Sequence, residues 1–275
     1  MRHFLTSAAV SLLTTTGCAS WFAPKAKLRG HPLESQLQMG RNGGMETFDH
    51  SAWDDVVKAV ARPDVGRVDY AAVPEAALSD YLDQLATADL SVLPGAEQKA
   101  LLINAYNALT LSLIVEQPTL PASIRDLDDP WGDARWTVAG EQVSLDDIEH
   151  GLLRPIFRDP RLHFALNCAS VGCPPLRDEA FTAERVEGQL DSATRDALGR
   201  QAWLSVDGDH ITVTALLDWY GPDFTAQGWT PNAPSKAAWL ARHGPPEVAD
   251  AVQAGAVLRF AAYDWRLNDV HTPAQ

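Results

Sequence analysis

One helix constrains the fold of this chain more than any other feature. The segment "EQKALLINAYNALTLSLIVEQP", residues 97–118, is apolar almost all round from Ala100 to Val115. A Pro-Gly pair precedes the segment and Pro118 ends it. A helix without a polar face has to be buried on every side. The sequence therefore predicts a globular domain around this helix, and 275 residues with 46% hydrophobic content can supply the core.

The segments around this helix alternate between helical spacing and short strands. Amphipathic helices are predicted from "FDHSAWDDVVKAVA", "PEAALSDYLDQLATADL" and "FTAERVEGQLDSATRDALGRQAWL". Hairpins are predicted where Ala139-Gly140 and Asp207-Gly208 separate short apolar runs. The fold class we expect is α+β, a single globular domain with a buried central helix and a small, mostly antiparallel sheet.

Charge and composition limit the classes of partner. The formal net charge of −14 and the absence of basic runs make nucleic acid an unfavourable partner. We expect no cofactor, because the chain has neither a glycine-rich phosphate loop nor a haem-attachment motif.

The amino terminus has the pattern of an export signal. After "MRH", no charged residue occurs between Arg2 and Lys25, and the stretch is too short and too rich in Thr and Ser for a membrane span. It ends in "LLTTTGCAS", which resembles a bacterial lipobox except that Thr15 stands where leucine is usual. Lipidation is therefore predicted at Cys18, and Ala19 after it favours the outer membrane. The alternative is a signal peptide that is cleaved without lipidation.

These patterns give the boundaries that we expect along the chain. Residues 1–17 are predicted to be a lipoprotein-type signal peptide, and residues 18–47 a tether because they show no sustained periodicity. The folded domain is expected over residues 48–270, followed by a tail over residues 271–275. The expected location is the cell envelope, with the protein anchored to the outer membrane through lipid and facing the periplasm.

Two asparagines interrupt the apolar helix. Asn104 and Asn107 are three residues apart and so lie on one face. A buried asparagine without hydrogen bonds costs about 1–3 kcal/mol. One interpretation is that both tie the helix to neighbouring backbone; the other is that they face a polar cleft and orient a ligand or a catalytic group.

A cluster of titratable residues follows in "SLDDIEHGLLRP". Ser144 is a good helix N-cap, with Asp147 three residues later and a proline predicted to end the helix. Glu149, His150 and Arg154 then lie close together beside leucines, which indicates a partly buried polar cluster. The alternative is an ordinary solvated helix face.

The stretch "LHFALNCASVGCPPL", residues 162–176, combines the residues that most often perform chemistry. Its alternation predicts a strand in which His163 and Asn167 share a face, while Cys168 faces the opposite way unless the chain turns. Three interpretations remain open for Cys168 and Cys173. They form a nucleophilic thiol site helped by an imidazole, or a disulfide in an oxidising compartment, or part of a metal site, although the spacing is weak for zinc.

Five motifs in this order resemble the family of domain of unknown function 547: "INAYNALTL", "VSLDDIEHGLLRP", "LHFALNCASVGCPPL", "LLDWYGPDF" and "YDWRLN". The resemblance implies a single domain. Its signature residues in this chain would be Asn104, Asn107, Glu149, His150, Arg154, His163, Asn167, Cys168, Cys173 and Asp264. A weaker resemblance to papain-like and transglutaminase-like enzymes is one of layout alone, since Asn104 stands where those folds place a cysteine.

The function we hypothesise is a cysteine-dependent hydrolase or acyltransferase on peptide or amide bonds of an envelope peptide or protein. Cys168 would attack, His150 or His163 would take its proton, and Asn167 or Glu149 would orient the ring. Binding roles are expected for Asn104, Asn107, Arg154, Cys173 and Asp264, and no metal is expected. The alternative is an envelope binding or scaffold protein with a structural disulfide and a buried polar network.

Overall fold

A computed structural model describes residues 30–273. Residues 1–29 lie outside this range. They include the predicted signal peptide, Cys18 and residues 18–29 of the predicted tether. None of the helices in the described range has both the length and the apolar character that a membrane crossing requires.

The helices occupy most of the regular structure. In chain order they are α1 (Leu33–Gly43), α2 (Ser51–Val60), α3 (Glu75–Thr87), α4 (Gly95–Val115), α5 (Arg154–Phe157), α6 (Val186–Leu198), α7 (Leu216–Trp219), α8 (Gly221–Thr225), α9 (Lys236–His243) and α10 (Pro246–Gln253). A π-helix covers Asp147–Leu153, and short 3-10 helices cover Tyr70–Ala72, Ile124–Asp126 and Pro160–Phe164.

The strands form three small sheets. They are β1 (Ala61–Arg62), β2 (Arg67–Val68), β3 (Trp136–Val138), β4 (Glu141–Val143), β5 (Leu204–Asp207), β6 (His210–Val213) and β7 (Val257–Phe260). Strands β1 and β2, β3 and β4, and β5 and β6 pair as antiparallel hairpins, and β7 joins β6 in parallel. The α+β class and the single domain are confirmed, and the expected single sheet is replaced by three.

Helix α4 is the centre of the larger of two hydrophobic clusters. Every residue from Ala100 to Ile114 is buried, as the missing polar face predicted. Helices α1, α3, α6 and the π-helix pack around it. The smaller cluster joins the β5–β6–β7 sheet to α8, α9 and α10.

Part of the predicted tether is folded. Residues 33–43 form α1, whose Leu33 and Leu37 are fully buried against the larger cluster. Gly40 permits this contact, because a Cβ there would lie 2.3 Å from the carbonyl oxygens of Leu90 and Leu93. The expected start of the domain at residue 48 is therefore too late, because the few apolar residues of this segment show no sustained repeat that would predict a helix.

Two local predictions in the motif region were wrong. The strand expected around His163 is instead the 3-10 helix Pro160–Phe164. The helix after Ser144 begins with the predicted reciprocal bonds, Ser144 N–H to Asp147 Oδ2 at 2.9 Å and Asp147 N–H to Ser144 Oγ at 3.0 Å. It continues as a π-helix and then passes through Pro155 into α5, where proline is tolerated in the first turn.

Candidate functional site

The site is built where the two hydrophobic clusters meet. Within the 3-10 helix Pro160–Phe164, Leu162 packs into the larger cluster and Phe164 into the smaller one. His163 lies between them and is only 4% exposed. The local packing therefore holds His163 at the boundary between the two hydrophobic clusters.

His163 is paired with a carboxylate that the sequence analysis did not select. Its Nε2 lies 2.8 Å from Asp223 Oδ2, and Asp223 is itself buried. Arg154 donates to the same carboxylate from Nε at 2.7 Å and from Nη2 at 3.0 Å. Tyr220 stacks on the imidazole with ring centroids 4.1 Å apart and an interplanar angle of 15°. Hydrogen bonds thus join Arg154, Asp223 and His163, and the Tyr220 ring packs against the imidazole and the guanidinium.

Burial and charge shift the pKa values within this cluster. Burial lowers the pKa of His163 below its ordinary value, and the neighbouring Asp223 offsets only part of that shift. Burial opposes ionisation of Asp223, but the hydrogen bonds from His163 and Arg154 outweigh it and lower the pKa of this carboxyl. The favoured state is thus a neutral imidazole beside an arginine–carboxylate ion pair.

His150 and Glu149 lie on the π-helix, a distortion that is common at functional sites. Arg154 Nη1 lies 3.0 Å from His150 Nδ1, and because arginine only donates, Nδ1 is the acceptor. Glu149 is buried, with Oε1 3.7 Å from the same nitrogen. Glu149, His150 and Arg154 therefore form the partly buried cluster that their spacing indicated, and the imidazole nitrogen nearest to them is already engaged.

Asn104 and Asn107 both bind backbone. Asn104 donates to the carbonyl of Phe181 at 2.8 Å and accepts from its N–H at 3.0 Å. Asn107 donates to the carbonyl of Ala165 at 3.0 Å and accepts from the N–H of Asn167 at 2.8 Å. Both asparagines thus tie α4 to neighbouring segments, and Asn104 Nδ2 also lies 3.2 Å from the buried imidazole nitrogen His50 Nδ1.

Asn167 organises the loop that carries the cysteines. Its amide donates to the carbonyl of Pro174 at 2.7 Å, and its oxygen accepts from the N–H of Ala169 at 3.0 Å and from Asn268 Nδ2 at 3.1 Å. Ala169 has a φ of 63°, in the left-handed region that costs a residue with a Cβ. Asn107 and Asn167 together hold the chain in this tight turn.

Cys168 and Cys173 form a disulfide with their Cα atoms 6.0 Å apart. Of the three open interpretations, the structure therefore presents the disulfide. No imidazole in the described residues is hydrogen bonded to either sulfur; His150 and His163 bind Arg154 and Asp223 instead. Within the same residues, no three His, Cys, Asp or Glu side chains come together in a way that could hold a metal ion.

Several hydrogen-bond donors converge on these two sulfur atoms. Cys173 Sγ accepts from the backbone N–H of Cys168 at 2.9 Å and from that of Ser170 at 3.4 Å. The hydroxyl of Tyr263 lies 3.2 Å from both sulfurs. Burial raises the pKa of Tyr263, so its hydroxyl keeps its proton and can donate. Cys173 is buried, and Cys168 is partly exposed.

The carboxyl-terminal segment brings Tyr263 to the loop. Backbone bonds join Gly172 N–H to the carbonyl of Asp264 at 2.9 Å and Val171 N–H to that of Arg266 at 2.8 Å. Gly172 is required for this approach, because a Cβ there would lie 2.9 Å from the Tyr263 ring. The carboxylate of Asp264 binds Arg266, with Nε 3.0 Å from Oδ1, while the backbone carbonyl of Asp264 binds the cysteine loop.

An aromatic cleft of about 380 Å³ lies on the other side of Tyr263. Trp219 and Trp265 stack at 5.9 Å and 19°, and Trp131 meets Trp265 edge-on at 6.1 Å. All four rings are partly exposed. Arg125 lies over Trp265, 5.2 Å from the ring centroid, and completes what we name the aromatic cleft.

Sequence reasoning missed Asp223, Tyr220 and Tyr263, although all three lie in the quoted motifs "LLDWYGPDF" and "YDWRLN". It also missed a second buried pair, in which His50 Nε2 lies 2.9 Å from Glu97 Oε1. The available signal was a polar residue inside an apolar helix or aromatic motif, which has to find a partner.

The protein is thus an α+β domain. It carries a buried arginine–carboxylate–imidazole cluster, a disulfide loop and an aromatic cleft beside that loop. Residues 90–198 match the model of a family described as "Protein of unknown function, DUF547". Over these residues the chain is similar to this family, as its motifs predicted. The matched range covers α4 to α6 and three of the five motifs. No curated protein and no solved structure matches the chain.

Proposed function

We propose that this chain is a peptide-binding protein of the cell envelope. The observation that carries the proposal is that β7, an edge strand, leads directly into the aromatic cleft. Phe260, Ala261 and Ala262 connect the strand to Tyr263, and all four residues line the cleft. Backbone and side-chain recognition would thus be continuous.

The edge of β7 offers backbone hydrogen bonds to an extended peptide. The sheet order is β5–β6–β7, so within residues 30–273 one side of β7 has no strand beside it. The N–H groups of Val257 and Ala261 bond to the β6 side at 2.8 Å each. Because alternate residues of a strand point in opposite directions, the N–H groups of Leu258 and Phe260 point away from β6. An added strand would use them, a common mode of peptide recognition.

The aromatic cleft would take one large apolar side chain of that peptide. Trp131, Trp219 and Trp265 present partly exposed ring surface, which gives large contact area at little entropic cost. Arg125 already lies over Trp265, so the proposed side chain is apolar rather than cationic. An aromatic residue fits this lining best, because ring pairs add about 0.5–1.5 kcal/mol to burial.

The proposal is tested with a panel of end-blocked five-residue peptides. Each peptide alternates Val and Thr around a central Trp, Leu, Ser or Lys, and binding is followed by the tryptophan fluorescence of the full chain. We expect the central-Trp peptide to bind at least about tenfold more tightly than the central-Ser peptide. Trp219→Ala should abolish this preference. Trp229→Ala is the matched control, since Trp229 is also partly exposed and lies outside the cleft.

N-methylation of alternate peptide amides tests the backbone contribution. One methylated series removes the donors that face β7 and should lose binding, whereas the other series should keep it. Equal binding of all central residues, or indifference to the methylation pattern, would contradict peptide recognition at this edge.

Export and lipid anchoring are a separate part of the proposal, supported by the sequence around Cys18. In a bacterial host, we expect the chain to incorporate labelled palmitate and to sediment with the outer membrane. Cys18→Ser should release it to the soluble periplasmic fraction. A chain that stays unlabelled, with Cys18 recovered as a free thiol, would exclude the anchor while leaving peptide binding untouched.

A further inference from the structure

We propose that Cys168 and Cys173 are a redox-active pair that exchanges with an external dithiol. The basis is the set of donors on Cys173 Sγ: the N–H groups of Cys168 and Ser170, and the hydroxyl of Tyr263. A disulfide sulfur carries no charge and is a weak acceptor, so three donors on it exceed what the bond itself needs. A thiolate at the same position would use all three.

The two sulfurs differ in a way that assigns their roles. Cys168 is partly exposed, whereas Cys173 is buried. The exposed sulfur is the one that an external thiolate can reach, and the buried sulfur is the one whose negative charge the loop stabilises. Exchange is fast when the attacked sulfur is accessible and the leaving thiol has a low pKa.

The exchange then proceeds in two balanced steps. An external thiolate attacks Cys168 Sγ, the bond between the two cysteines breaks, and its electron pair leaves on Cys173 as a thiolate. The second thiol of the reductant, after giving its proton to solvent, attacks its own partner sulfur in the mixed disulfide and releases Cys168. The pair gains two electrons, and the external dithiol becomes a disulfide.

Tyr263 links this chemistry to the fold. Its hydroxyl is 3.2 Å from both sulfurs, so it can donate to the sulfur that bears charge at each step. It is a positioning and charge-stabilising residue, held by the close approach of Gly172. Tyr263 also forms a wall of the aromatic cleft, so the redox pair and the cleft share a side chain.

The test uses the full chain with Cys18→Ser, so that the pair supplies all thiols. The protein is equilibrated in mixtures of reduced and oxidised glutathione, and thiols are counted by the mass added with a maleimide. We expect both forms to be populated across these mixtures. Tyr263→Phe should move the equilibrium constant at least about tenfold toward the disulfide, since it removes one donor to the thiolate. A pair that stays fully oxidised even in a large excess of reduced glutathione would overturn the proposal.

Two further comparisons guard against general effects of mutation. Tyr81→Phe removes a buried phenol hydroxyl that binds His50 Nδ1 at 2.9 Å, and it should change the equilibrium less than about twofold. Gly172→Ala should reproduce the Tyr263→Phe shift, because the new Cβ displaces the ring. Equal shifts in Tyr81→Phe and Tyr263→Phe would show a global effect and refute the role of Tyr263.

Single-cysteine variants test the assignment of the two sulfurs. With Cys173→Ser, the remaining Cys168 should react with oxidised glutathione at least about tenfold faster than Cys173 does in the Cys168→Ser variant. The reverse order would overturn the assignment of Cys168 as the attacked sulfur.

Discussion

Two polar regions of this domain use hydrogen bonds in opposite ways. Around Asp223, the donors of Arg154 and His163 meet an ionised carboxylate, and donors and acceptors match. Around Cys173, donors converge on a sulfur that is uncharged in the disulfide. We infer that the first region stabilises the fold that exists, whereas the second is prepared for a charge that appears only after reduction.

Asp223→Asn tests the stabilising role of the first region most directly. The change leaves Arg154 buried beside a neutral amide, which has one acceptor oxygen where the carboxylate has two, and we expect it to cost about 3–5 kcal/mol of unfolding free energy. Urea unfolding of the full chain measures it. Asp209→Asn, at an exposed carboxylate that pairs with His210, is the matched control and should stay within about 0.5 kcal/mol. A loss below about 1 kcal/mol for Asp223→Asn would show that the cluster does not stabilise the fold.

Asn107→Ala addresses the connection between α4 and the cysteine loop. It leaves the N–H of Asn167 and the carbonyl of Ala165 without their partner, and we expect a loss of about 2–4 kcal/mol. Asn42→Ala, on the exposed face of α1, should change little. If Asn107→Ala unfolds no more readily than Asn42→Ala in the same urea titration, the tie between helix and loop is energetically unimportant.

The double change Cys168→Ser and Cys173→Ser measures what the disulfide contributes to the fold. The bond closes a loop between residues only five apart, so the chain-entropy model gives about 2 kcal/mol. Reduction of the native chain should cause a similar or smaller loss, because the loop stabilises the thiolate. A reduced native chain that is much less stable than the double variant would instead indicate a purely structural bond.

The sequence predicted α4 and the hairpins because their signals are local. Residues 100–114 have no polar face, and turn residues separate the short apolar runs. The alternation in residues 162–164 was misleading for a physical reason: Leu162 and Phe164 point apart because each enters a different cluster, a task that a 3-10 helix performs as well as a strand.

The composition of the site was less predictable than the position of its motifs. Spacing brought Glu149, His150 and Arg154 together, since neighbours on a helix are fixed by its geometry. Asp223 lies 60 residues from His163, and Tyr263 lies 95 residues from Cys168. Such pairings depend on the path of the chain between the elements, which local patterns do not contain.

The pH dependence of stability separates the contribution of His163 from that of the ion pair beside it. Burial lowers the pKa of His163 below its ordinary value of 6.5, so the unfolded chain takes up a proton first as the pH falls. Stability is therefore greatest above about pH 6.5 and declines as the pH falls from there toward the folded-state pKa.

His163→Gln keeps a donor for Asp223 but does not titrate. We expect the native chain to lose up to about 1.4 kcal/mol per pH unit more than this variant between pH 6.5 and 5. His243, whose pKa burial also lowers, is present in both chains, and His243→Gln is the matched control. Parallel curves for the native chain and His163→Gln would mean that His163 is charged in the folded cluster. Asp223 would then balance the charges of both His163 and Arg154.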